Sequence, residues 1–185
     1  MSDLPPELSN GLVYRSHTAG GCVSRVWYSR CDQYRYGLSR VWAPELPSVL
    51  FVMLNPSTAD EHRNDPTVAR CEIRARRMGY GAMMIANIFA FRATKPVDLK
   101  SAAEPTGAMN DAVLAHWARV ADMTVAAWGA HGGHLERGQR MAADLPEGTV
   151  HLGLTKHGHP RHPLYVSFET APTAWPKRQR YRASD

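Results

Sequence analysis

The chain has only three cysteines, Cys22, Cys31 and Cys71. That is too few for a disulfide framework and one short of the four thiolates an iron–sulfur cluster normally needs, so a reducing, cytoplasmic setting is expected. Long apolar runs are missing as well. Uncharged stretches such as Gly81 to Phe91 fall well below the roughly 18 residues of a membrane span. Met1 to Asn10 lacks the apolar segment of a signal peptide. No repeat at a solenoid period, no HExxH and no paired CxxC is present. These absences point away from secreted disulfide scaffolds, membrane proteins, repeat arrays and the best-marked zinc sites. What is present is a chain of 185 residues with 44% hydrophobic content, enough for one domain that buries roughly 70% of its unfolded surface. A single domain over residues 1–170 is expected, followed by a basic, mobile tail over 171–185, where Pro172, Pro176, Lys177, Arg178, Arg180 and Arg182 mix breakers with like charges. Lys+Arg of 22 against Asp+Glu of 17 gives +5, which favours a polyanionic partner. Nine histidines are the odder number.

Between Gly11 and Trp42, short β-rich runs at Val23 to Tyr28 and Tyr34 to Trp42 suggest antiparallel edge strands. From residue 49 a cycle appears. Val49 to Leu54, Met83 to Ile88, Thr124 to Trp128 and Thr149 to Leu154 read as buried strands. Pro66 to Met78, Ala108 to Ala121, with Asn110 or a neighbour as its cap, and Leu135 to Ala143 read as helices. Cys71 and Ile73 are expected to face the core. Continuous apolar strands alternating with helices imply an α/β fold, a three-layer α/β/α arrangement around a central, mostly parallel four-stranded sheet, extended by the N-terminal edge strands. Ligands of such sheets bind beyond the carboxyl ends of the strands.

Those ends carry the polar clusters. Asn55-Pro56-Ser57 follows the first strand, and its proline can hold the Asn side chain over the rim, although Asn-Pro is also a common turn. Asn87 interrupts an apolar strand; its paired donor and acceptor match a nucleobase edge, or equally a structural amide that pins a loop. His131, His134, His151, His157, His159 and His162 crowd the C-terminal part. Their spacings lack a helix that aims two rings at one ion, so no metal is expected. Neutral-imidazole hydrogen bonding to a developing anion or to phosphate is the alternative, and solvated loop histidines account for others. Arg70, Arg74 and Arg77 share a face of one helix, with Arg63 and Arg92 nearby. That stripe can track a phosphate backbone, or be the solvated side of its helix.

Taken in order, these segments resemble the motif series of the uracil-DNA glycosylase superfamily over about residues 49–165. VMLNPS is similar to its first motif, IANIFAFRAT to the strand that supplies a base-reading Asn, VAAWGAHG to its tryptophan–glycine–x–histidine strand end, and GHPRHPLY to its last motif with one residue inserted. The whole chain, through LNPSTAD, DPTV and PRHPLY, also resembles a bacterial and phage domain family of unknown function. The superfamily resemblance implies that Asn55 positions the attacking water, Asn87 reads the flipped base, and His159 donates to the base oxygen that gains charge. Leu164 or Tyr165 wedges into the duplex.

Three departures shape the expectation. Asn55 stands where a carboxylate activates water better, so turnover is slow. Ser57 stands where strict uracil enzymes keep a tyrosine, so a larger C5 substituent fits. Thr58 to Arg77 contains no stacking aromatic, leaving Phe89 or His62 to substitute. The inserted residue makes His159 and His162 rivals for the catalytic place, with His131 on the same rim and Arg161 beside them among the DNA-contacting groups. The function implied is a cofactor-free DNA N-glycosylase, a hydrolase that flips and excises a pyrimidine, in DNA repair or in phage–host conflict over modified DNA. Its partner is DNA, with no membrane and no obligate protein partner. Alternatives are a non-catalytic reader of modified bases, a base-modifying or transferase enzyme of DNA hypermodification, and, last, a metal hydrolase.

Overall fold

A computed structural model describes residues 3–175. In chain order the elements are α1 (Pro6–Ser9), β1 (Val13–Ala19), β2 (Cys22–Tyr28), β3 (Arg35–Val41), β4 (Ser48–Met53), α2 (Pro66–Arg77), β5 (Ala82–Asn87), α3 (Pro96–Ser101), α4 (Asn110–Val120), β6 (Met123–Ala126), α5 (Arg137–Asp144), β7 (Val150–His151) and β8 (Thr173–Ala174), with 3-10 turns at Ala130–Glu136 and Pro163–Tyr165.

The strands form one eight-stranded mixed sheet in the order β1-β2-β3-β5-β4-β6-β7-β8. This corrects the expected central, mostly parallel four-stranded sheet. Pairs β4/β5, β4/β6 and β6/β7 are parallel, but β1/β2, β2/β3, β3/β5 and β7/β8 are antiparallel and outnumber them. Burial explains the difference. β3 is not a trimming on the edge, since six of its seven residues are buried and it takes the flank of β5, with Leu38 opposite Ile85. At the far end the fourth apolar run shrinks to the two residues of β7, which an antiparallel β8 then covers.

Two apolar clusters hold the faces. On one side α2 lays Val68, Cys71 and Ala75 on Val49, Phe51, Met83 and Ile85. On the other, Leu99 of α3, Val113, Leu114 and Trp117 of α4 and Met141 of α5 cover Leu50, Val52, Met84 and Ala86. Alternate residues of β4 and β5 thus point to opposite faces, the period-two rule of a strand. Gly37 of β3 is required there, because a Cβ would run into the Trp117 ring. Cys71 is fully buried, whereas Ile73, expected in the core, is 43% exposed on the far side of α2. Asn110 is not a cap: Met109 takes that position without a side-chain bond, and the buried Asn110 amide donates to the carbonyls of Asn87 and Ile88 at 2.9 and 3.2 Å.

Of the expected basic tail, Thr173 and Ala174 belong to β8 and the Trp175 amide donates to Thr149 O at 2.9 Å. Residues 176–185 lie outside the described residues. No helix among the described residues is long and apolar enough to cross a membrane.

Candidate active site

The carboxyl ends of β4 and β6, the start of α2 and the turn at Pro163–Tyr165 enclose a cavity of about 700 Å³. Its walls include Asn55, Ser57, Asp65, Trp128, His131, Arg161, His162, Leu164 and Tyr165. A volume of this size is typical of small-molecule and cofactor sites.

Asn55 lies two residues beyond the end of β4. Its Nδ2 donates to Pro56 O at 3.0 Å and to Ala93 O at 2.7 Å. Two carbonyl partners can only accept, so they fix which end of the amide is nitrogen and leave Oδ1 as the acceptor for another group. Ser57 Oγ lies 3.5 Å from Thr94 Oγ1. Ser57, Thr58, Ala93 and Thr94 border both this cavity and a second, open one that holds Asp32, Asp60, Arg63 and Arg92.

His162 lines the cavity, and its Nδ1 accepts from the Leu164 amide at 3.4 Å. Burial pulls its pKa below the ordinary histidine value, against the charge of Asp65, which raises it. The neutral ring therefore carries its proton on Nε2, as a donor. Gly129, at φ +74°, makes room for it: a Cβ there would lie 3.2 Å from His162 Cβ, and the Gly129 amide ties the two segments through Pro160 O at 2.8 Å. His159 is not among the residues of the cavity wall. It belongs to a small crevice with Trp128, Gly138 and Trp175, and its backbone closes a turn with Thr155. The exposed His131 lines the cavity.

Asn87 is 1% exposed at the end of β5, opposite Met53 in the register. Neither amide atom has a hydrogen-bond partner among the described residues, and Asn87 is not among the residues that line the cavity. Phe89 is fully buried in the α4 cluster, with its ring 5.5 Å from that of His134.

The arginines divide sharply. Arg70 donates to Pro163 O and Val166 O at 3.2 and 2.6 Å, and Arg74 to Thr170 O and Ser167 O at 2.8 and 2.7 Å. Arg70, Arg74 and Arg77 all stack on Phe168, at 4.2, 5.7 and 4.8 Å from the ring centre. The stripe on α2 thus grips the chain's own segment 163–170. Arg92 bonds Asp32, and Arg63 is ion-paired with Asp60. Arg161 donates to Leu154 O at 3.2 Å and remains exposed on the cavity wall. Leu164 is half-buried, and Tyr165 stands 82% exposed at the mouth.

Two wall residues stand in quoted motifs, VAAWGAHG and DPTV, but drew no site role from the sequence. Trp128 lines the cavity, its indole Nε1 without a hydrogen-bond partner among the described residues, and a Cβ on Gly132 or Gly138 would strike its ring. Asp65, the N-cap of α2, is the sole carboxylate of the wall among the described residues; an Asp directly before a helix-starting proline was its signal. No group of three or more His, Cys, Asp or Glu able to hold a metal ion occurs among the described residues.

A family model described as a protein of unknown function (DUF1643) matches residues 35–164. That span holds every wall residue except Tyr165. No curated protein matches the chain.

Proposed function

The chain belongs to the DUF1643 family of proteins of unknown function, and on that premise we propose that it is a DNA glycosylase that hydrolyses the N-glycosidic bond of a flipped pyrimidine. The observation that carries this reading is one cavity holding both halves of the chemistry. Asn55 offers a fixed acceptor, Oδ1, and His162 a fixed neutral donor, Nε2–H. The motif resemblance to the uracil-DNA glycosylase superfamily supports the same reading.

In the proposed reaction a water molecule is held on Asn55 Oδ1. As the C1′–N bond breaks, its electron pair departs with the base, and negative charge grows on the base oxygen. A neutral imidazole aimed there stabilises charge that exists only as the bond breaks, which lowers the barrier rather than merely tightening binding. His162 has this role because it lines the cavity, in place of His159. Ser57 opens the wall toward the second cavity and leaves space for a substituent on the base. Tyr165 and Leu164, at the mouth, fill the gap left by the flipped nucleotide.

The test is incubation with oligonucleotide duplexes carrying uracil, 5-hydroxymethyluracil or bulkier C5-modified pyrimidines, followed by alkali. Strand breaks at the modified base are expected. His162→Ala should lower the rate at least about 100-fold, and His159→Ala much less. Intact DNA binding without breaks on any substrate would replace the enzyme with a reader of modified bases, and an adduct on the base seen by mass analysis would replace hydrolysis with transfer.

A further inference from the structure

Glycosidic hydrolysis builds positive charge on the sugar, and a carboxylate is the group that best stabilises it. The first motif offers only the amide of Asn55, yet among the described residues the wall contains one carboxylate, Asp65. Its position is fixed. Oδ1 accepts from the Val68 amide at 2.9 Å and Oδ2 from the Ala59 amide at 3.3 Å, so each oxygen keeps a lone pair and the group cannot swing away. Arg70, on the same helix, donates to Pro163 O, which sets the start of α2 against the segment that begins at His162. The charged and titratable groups sharing the wall with Asp65 are His131, Arg161, His162 and Tyr165, and the buried Arg35 guanidinium also feels its charge.

Resting on the glycosylase reading above, we propose that Asp65 is a second catalytic residue, the fixed negative charge that faces the sugar of the flipped nucleotide. When the C1′–N bond breaks and its electron pair leaves with the base, positive charge spreads over C1′ and the ring oxygen. The Asp65 carboxylate acts through its charge and takes no part in the proton transfers. Water on Asn55 adds its oxygen to C1′ and releases a proton to solvent, and the base anion takes a proton in return. Negative and positive charge thus develop against opposite partners: the base against His162, the sugar against Asp65. Once the flipped nucleotide displaces water from the cavity, such fixed charges act far more strongly than in bulk water.

The competing role is capping alone, and asparagine caps a helix as well as aspartate. Asp65→Asn therefore removes the charge and keeps the capping bond from the Val68 amide, while giving up the one from Ala59. Binding is measured to two DNA duplexes that lack a base, one carrying a cationic pyrrolidine in place of the sugar and one a neutral tetrahydrofuran. The wild-type chain should hold the cation at least about tenfold more tightly. Asp65→Asn should bind the two alike, with unchanged affinity for the neutral duplex and a loss of excision rate of about 100-fold; its melting temperature falls, because the amide cannot accept from Ala59 as Oδ2 does, and the comparison of the two duplexes is independent of that fall. A wild type that does not discriminate, or an Asp65→Asn variant that still does, overturns the proposal. Because neither duplex has a base to lose, this result is independent of excision: discrimination retained without excision on any substrate would sink the glycosylase reading and leave the charge of Asp65 in place.

Discussion

The cavity is built from two halves that are tied down by the same device in different settings. The first half, residues 55–65, rests on β3. Arg35 donates to Ala59 O at 2.6 Å, and Arg40 to Asp60 O at 2.5 Å and to Asn64 Oδ1 at 3.1 Å; both are almost wholly buried. The second half, residues 162–170, is held by Arg70 and Arg74 through four backbone carbonyls, with Phe168 as the plate on which the guanidiniums stack. Arginine suits both tasks because its planar fork reaches two carbonyls at once and remains charged. The difference lies in what surrounds the tether. β3 is inside the sheet, so the first half is continuous with the core. The second half is an arm laid over a helix, and its attachments can open without the sheet opening.

The sharpest way to break that contrast is Arg35→Ala. Burial lowers the Arg35 pKa to about 10, so the group is charged at neutral pH inside the protein. Its loss leaves Ala59 O without its donor and a cavity beneath the site. Denaturant unfolding should show a loss of about 3 kcal/mol or more, spread over the whole domain. A loss below about 1 kcal/mol would show that the first half does not depend on the sheet beneath it.

Arg74→Ala should do less, and do it locally. Two charge-assisted bonds to Thr170 O and Ser167 O disappear, at a cost of about 2 kcal/mol. Hydrogen exchange should quicken over residues 162–170 while the amides of β4 and β5 keep their protection. Uniform loss of protection would mean that the arm and the sheet open together, and the contrast would fail.

The same contrast marks what was legible in the sequence. Asn55, His131, His162, Arg161, Leu164 and Tyr165 could be placed on one rim because short apolar runs announce strand ends, and strand ends are where such sheets bind ligands. The arginine stripe could be assigned to one helix face from its spacing, but spacing cannot say that the face meets Phe168 of the same chain. Nor could it separate His159 from His162, since that depends on which residue of a turn points inward. The sheet order was hidden for a related reason. Antiparallel pairing of β3 with β5 joins segments over forty residues apart, and no local pattern records it. Asp65 was passed over because a carboxylate before a helix-starting proline has a sufficient local explanation as a cap.

Acid should sharpen the comparison with the smallest change of all. In and beside the second half, the Nδ1 atoms of His151 and His162 accept from the amides of Gly153 and Leu164 at 2.9 and 3.4 Å, bonds that only unprotonated nitrogens can make. Burial lowers the pKa of both rings, with Asp65 opposing it at His162. The unfolded chain then binds protons that the folded one refuses. Their contribution to stability is full above about pH 6.5 and is lost as the pH falls through the lower folded values. In the first half the titrating group is Asp60. Burial raises its pKa, but the amides of Arg63 and His62 and the guanidinium of Arg63 outweigh that and hold it below the usual carboxylate value. Its contribution is present above roughly pH 4 and is lost only as the pH falls through its lower folded value. Hydrogen exchange, corrected for intrinsic rates, should therefore show the amides of Gly153 and Leu164 losing protection first on acidification, while those of His62 and Arg63 hold until the carboxylates titrate. Loss in the reverse order would mean that the arm is bound as firmly as the loop it faces.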